Sequence, residues 1–150
     1  MPQSLFPVFE VPGFSVEQER TIPQYAQAPL WDYAAGDFVH NGSGQVVYGT
    51  GQEAWILWCI KTVLTQRWAH FAYSRSIGVE SMEAFREADR AAVQSAFERT
   101  ITEALLSDPA RRTQQVRDFD FTWEPDALHI SCEVVGADGN SAVIDASLRV

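Results

Sequence analysis

Two hydrophobic periods divide the chain. From Gln52 to Thr65, Ala54, Leu57, Trp58, Lys61 and Leu64 fall on one face at helical spacing, and Trp55, Cys59 and Val63 flank it. A helix that is apolar around so much of its circumference belongs in the middle of a core. Thr50 is the predicted N-cap, and Glu53 sits in the first turn, where the helix dipole favours a carboxylate. Lys61, the only lysine, falls near the C-terminal end. A second helical pattern opens at Ser81, a candidate cap, and reaches Ser107. Val93, Phe97, Ile101 and Leu105 recur every four residues, and Met82 and Phe85 extend the series backwards. So long a run predicts a break near Arg90.

From Arg117 the period falls to two. Phe119, Phe121 and Trp123 alternate with Asp118, Asp120 and Thr122. After the turn Glu124-Pro125-Asp126, Leu128, Ile130, Cys132 and Val134 alternate with His129, Ser131 and Glu133. After a second turn, Gly136 to Asn140, the set Ala142, Ile144, Ala146, Leu148 and Val150 follows. Three strands, each with one apolar face, predict a meander packed against the helices. Upstream, Asp37–His40 and Gln45–Tyr48 flank Asn41-Gly42-Ser43-Gly44 and predict a hairpin, with Gly49 ending the second strand. Gln66–Glu80 reads as a loop or irregular strand in which Gly78 supplies a special backbone angle. The fold class is therefore α+β: two main helices on a small mixed or antiparallel sheet.

Proline changes the picture at the N-terminus. Pro2, Pro7, Pro12, Pro23 and Pro29 are five of the seven prolines, so residues 1–30 read as an extended arm ahead of a single domain at 31–150. Leu5, Phe6, Val8, Phe9, Val11 and Phe14 give that arm an apolar character, suited either to this domain's own surface or to a neighbour. Residues 1–10 lack the basic and apolar regions of a secretory signal. The sequence also lacks an apolar run long enough to cross a bilayer.

A chain of 150 residues with 46% hydrophobic and 21% charged residues can bury its own core. Its net charge of -9 disfavours general nucleic-acid binding and anionic membranes; Arg111, Arg112 and Arg117 form one candidate basic patch, or equally a solvated surface. Cys59 and Cys132 lie in apolar stretches and read as core residues. His40, His70 and His129 are isolated, so neither a metal site nor a histidine-based triad is expected. Gly42, Gly44, Gly49 and Gly51 are not followed by a Walker lysine. Among Glu53, Glu80, Glu83, Glu87, Asp89, Glu98, Glu103 and Asp108, a glycosidase pair is conceivable in principle, but most fall on solvated helix faces. No cofactor is implied.

The most informative stretch is Arg99–Val116. A helix ends at Asp108-Pro109-Ala110-Arg111-Arg112 and a strand follows at once. Such a corner has too few groups for catalysis, yet an acid and a guanidinium make a fork suited to a partner. The same residues fit a proline-terminated helix with arginine near its C-terminal dipole.

Three segments together resemble the sheath initiators of contractile tails, a baseplate wedge family with an older lysozyme-like label. They are Glu53-Ala54 through Gln66-Arg67, the loop Ala72-Tyr73-Ser74-Arg75-Ser76-Ile77-Gly78-Val79-Glu80, and Glu98–Asp108 continued by Arg111 or Arg112 and Val116–Phe121. The nearest branch looks like that of PBSX-type prophages and tailocins, and type VI secretion carries a relative. Many members have Glu-Pro-Arg after the second helix, where this chain has Asp108-Pro109-Ala110-Arg111. The resemblance implies a structural, non-enzymatic role. Asp108, Pro109, Arg111 and Arg112 would dock on the baseplate wedge, and Arg67, Tyr73, Ser74, Gly78 and Glu80 match the family loop. It also implies tail sheath and wedge proteins as partners, six copies per baseplate, and a place in a virion or extracellular contractile particle assembled in the bacterial cytoplasm. Sheath subunits join by strand exchange, so an exposed edge is expected. Ile144, Ala146, Leu148 and Val150 mark the candidate edge strand, with Asp37–Tyr48 as the other. The alternatives are a cell-wall glycosidase and an adaptor domain unrelated to tails.

Overall fold

The computed structural model describes residues 26–149. The apolar residues between Leu5 and Phe14 therefore lie outside the described residues, as does Val150. The order is β1 (Ala28–Pro29), β2 (Trp31–Asp32), β3 (Asp37–Phe38), β4 (Tyr48–Gly49), α1 (Gln52–Leu64), α2 (Ser81–Ala84), α3 (Arg90–Leu106), β5 (Thr113–Trp123), β6 (Ala127–Gly136) and β7 (Ser141–Arg149). The α+β class and the meander stand: β5, β6 and β7 form one antiparallel sheet in that order.

The long helical pattern breaks where length demanded, between Ala84 and Arg90. Asp89 caps α3, its Oδ1 accepting from the Ala92 N–H at 2.9 Å, a cap the periodicity did not reveal. Two expected caps are corrected. Gly51, not Thr50, holds the N-cap of α1, at φ 54 and ψ -121, which a β-carbon would strain. Ser81 is the first residue of α2 rather than its cap, and its hydroxyl donates to Gln66 Oε1.

The core lies between the helices and one sheet face. Trp55, Cys59 and Val63 of α1 meet Val93, Phe97, Ile101 and Leu105 of α3, with Leu128, Ile130, Cys132, Val134, Ile144 and Ala146 beneath. Strand β5 reaches this face through two irregularities. The pairing skips Gln114, and Asp118 and Phe119 together oppose Cys132, with Asp118 at φ 54. Each insertion reverses the alternation. Thr113, Val116, Phe119, Phe121 and Trp123 can therefore all turn inward despite uneven spacing.

The upstream hairpin is shorter than its sequence suggests. Asn41 Oδ1 accepts from Ser43 and Gln45 N–H, and His40 bridges Val46. The outer residues pair elsewhere, Asp37–Phe38 with Trp31–Asp32 and Tyr48–Gly49 with Ala28–Pro29. The 28–30 segment packs closely there: a β-carbon on Gly49 would stand 2.5 Å from Leu30 Cδ2 and 3.2 Å from Glu53 Cβ, so a larger residue would make the Leu30 side chain shift.

Candidate functional site

The corner after α3 has an inner and an outer half. Asp108 is 4% exposed, and its carboxylate gathers donors from the following turn. Ala110 N–H reaches Oδ1 and Arg112 N–H reaches Oδ2, each at 3.1 Å. The Arg112 guanidinium closes on the same group, Nε to Oδ2 at 2.7 Å and Nη2 to Oδ1 at 3.1 Å. Burial alone would push the carboxyl pKa up. The hydrogen bonds from Arg112 and Ala110 outweigh it and hold the group below its ordinary range. Arg112 also lies over the Trp58 ring at 5.0 Å, and its carbonyl accepts from Ala137 N–H. The pair thus ties α1, α3 and the β6–β7 turn together. The outer half is Pro109, Ala110 and Arg111, all exposed, with Arg111 at φ 52. Of the two arginines in the predicted fork, Arg112 faces the acid and Arg111 faces solvent.

Four loop residues form a clasp beneath α1. Arg67 Nη1 meets Glu80 Oε1 at 2.8 Å, and its Nε donates to the Gly78 carbonyl at 3.0 Å. Val79 N–H donates to Thr65 O and Arg67 N–H to Val79 O, making a one-residue parallel bridge. Gly78 supplies the expected special angle at φ 96. Its backbone lies so close that a β-carbon would be 2.6 Å from Thr65 O. Tyr73 stands apart from this clasp, 5.2 Å from Lys61 Nζ and edge-on to His70. Ser74 pairs with Ser76 at 2.9 Å.

Among the described residues, strand β7 borders the main sheet with only β6 beside it. Its nine-residue pairing runs without a register shift. Gly136 N–H donates to Asn140 O at the turn. By antiparallel alternation, even-numbered residues of β7 therefore bond to β6, and Ser141, Val143, Asp145, Ser147 and Arg149 aim N–H and C=O at the open margin. Gln52 Nε2 already donates to the Ser141 carbonyl. Ile144, Ala146 and Leu148, named from the sequence for this edge, point their side chains into the core and their backbone at β6. The intervening residues that offer the free groups were missed, because only the hairpin register distinguishes the two rows.

The remaining chemistry is sparse. Glu133, on the outer sheet face, is held down to about 2 by the hydrogen bond from Arg117, then by Ser141. Asp108 and Glu133 are thus both held ionised, opposite to a glycosidase's general acid. His129 Nε2 lies 3.2 Å from Glu124 Oε2, so it does have a carboxylate neighbour, across the β5–β6 turn. Among the described residues no cluster of three or more His, Cys, Asp or Glu is arranged for a metal ion, and no helix is long and apolar enough to cross a membrane.

A comparison with curated proteins finds no match. Residues 28–139, from β1 through the corner and β6, match the family model described as contractile injection system sheath initiator. The chain therefore belongs to the sheath-initiator family and is a structural component of the sheath and baseplate of a contractile injection system.

Proposed function

We propose that the protein seats on the baseplate wedge through the outer half of the corner and starts the sheath by strand exchange along β7. The observation that carries this reading is the contrast between the two margins of the main sheet. The β5 margin is interrupted twice and twisted by Asp118 at φ 54. The β7 margin is regular over its whole length. An open, regular edge is an aggregation hazard unless a partner covers it, and the arms of a sheath subunit are such a partner. Pro109 and Arg111 offer a rigid bend and an unburied guanidinium for the wedge, while Asp108 and Arg112 fix the bend from within. The proposal includes six copies per baseplate and assembly in the bacterial cytoplasm, both of which the family resemblance implies.

The test is capture of the tail-sheath protein encoded by the same genome. Deleting β7 would strip Ile144 and Ala146 from the core, so a point change is needed. Val143→Pro removes one outward N–H and no bond to β6, at a side chain 63% exposed. A folded Val143→Pro protein should lose about tenfold or more in capture. Equal capture by variant and wild type would sink strand exchange at β7. In parallel, Arg111→Glu should weaken wedge binding and leave sheath capture unchanged.

A further inference from the structure

Helix α1 has two apolar faces, and the core uses one. The other, with Leu57 and Leu64 and with Trp58, which also packs against the core, lines a groove of about 580 Å³ that Trp31 and Phe38 line as well. Two cations open on it. Arg112 is neutralised by Asp108. Lys61 is exposed, lies against the Tyr73 ring, and pairs with no carboxylate among the described residues. In a chain of net charge -9 with a single lysine, an apolar groove with a free ammonium selects an apolar segment bearing one carboxylate.

The chain itself supplies such a segment. Residues 5–14, LFPVFEVPGF, carry six large apolar side chains and one charge, Glu10, between Phe9 and Val11. The segment is also tethered at the groove, because Ala26 and Gln27 are part of its wall. The twelve residues from Phe14 to Ala26 can span at most about 40 Å, enough to turn back along α1. Tethering makes the encounter intramolecular, with a millimolar-scale effective concentration. Pro7 and Pro12 reduce the backbone freedom lost on docking. We infer that residues 5–14 of the same chain occupy the groove on α1, with Glu10 facing Lys61. This inference stands independently of the sheath reading.

The single lysine makes the test direct. The full-length protein is treated with a zero-length carbodiimide, monomer and dimer are separated, and each is mapped by mass spectrometry. The expected product is an amide between Glu10 and Lys61 in the monomer. It should be absent in Glu10→Gln and retained in Glu17→Gln. Phe6→Ser with Phe9→Ser should lower its yield about tenfold by removing the buried apolar area. Lys61 left unlinked in the monomer would overturn the inference, as would linkage only to a carboxylate outside the arm. A Glu10–Lys61 link found only in the dimer would also overturn it and assign the groove to a second copy.

Discussion

Arg112 grips Asp108, four positions earlier, through two parallel bonds, 2.7 and 3.1 Å long. Both side chains are nearly closed to solvent, at 11% and 2% exposure. Removing one partner of a buried pair strands the other charge. Asp108→Ala should therefore cost about 3–5 kcal/mol in urea unfolding. A loss under about 1 kcal/mol would mean the guanidinium finds other partners in the variant.

The same pair predicts an acid limb. The Asp108 carboxyl is lowered from 3.8 in the folded protein. Its contribution is complete above that value and disappears as pH falls through the lower folded one. Stability of the wild type should drop more steeply below about pH 4 than that of Asp108→Asn. Parallel curves for the two proteins from pH 6 to 2 would place the acid sensitivity elsewhere.

Arg117 and Glu133 make a second pair on the outer sheet face, 2.7 Å apart. A carbon-13 titration should find the Glu133 carboxyl at about 2. Arg117→Gln should return it toward 4.5. High salt should do so only in part, because a direct hydrogen bond is screened less than a distant charge. A Glu133 midpoint unchanged by the substitution would contradict the assignment.

Gly78 and Gly139 separate two reasons for glycine. Both have positive φ, 96 and 84, yet a β-carbon on Gly139 meets nothing within 4 Å while one on Gly78 strikes the Thr65 carbonyl. Gly139→Ala should cost about 1 kcal/mol, from the backbone alone. Gly78→Ala should cost clearly more, about 2–4 kcal/mol, and should speed amide exchange at Val79. Equal losses would show that the close approach relaxes freely.

Cys59 and Cys132 sit in the core with their thiols pushed up, to about 12 and about 11, chiefly by burial. The thiolate is the reactive form. At pH 8 a disulfide reagent should modify neither until the protein opens, so modification should follow the unfolding rate. Prompt stoichiometric labelling of the native protein would contradict the burial.

The sheet faces were legible because one rule, alternation, controls β6 and β7 without interruption. Leu128, Ile130, Cys132 and Val134 read correctly for that reason. The α3 break was legible from length alone. Strand β5 was legible only from Phe119 onward. Upstream, two insertions turn a spacing of two into a spacing of three, and Thr113 and Val116 look patternless until the pairing is known. Helix α1 shows the converse. Its apolar circumference was visible, but the division into Trp55-Cys59-Val63 for the core and Leu57-Leu64 for a groove, with Trp58 shared between them, depends on where the 28–38 segment lies. At the corner, the acid and both arginines were visible. Which arginine turns inward is set by Arg111 entering the left-handed region at φ 52, a single backbone choice that composition does not record.

The unequal margins of the β5–β6–β7 sheet give it a polarity. In polymer terms, the proposed role would make such a sheet a chain end with one living site. A strand arriving at β5 would meet two notches, which oppose the propagation of copies β7-to-β5 into a ribbon. A strand arriving at β7 finds nine residues in unbroken register. On the proposed reading, growth that begins there would proceed away from the protein and leave it behind at the origin, where a seed has to stay.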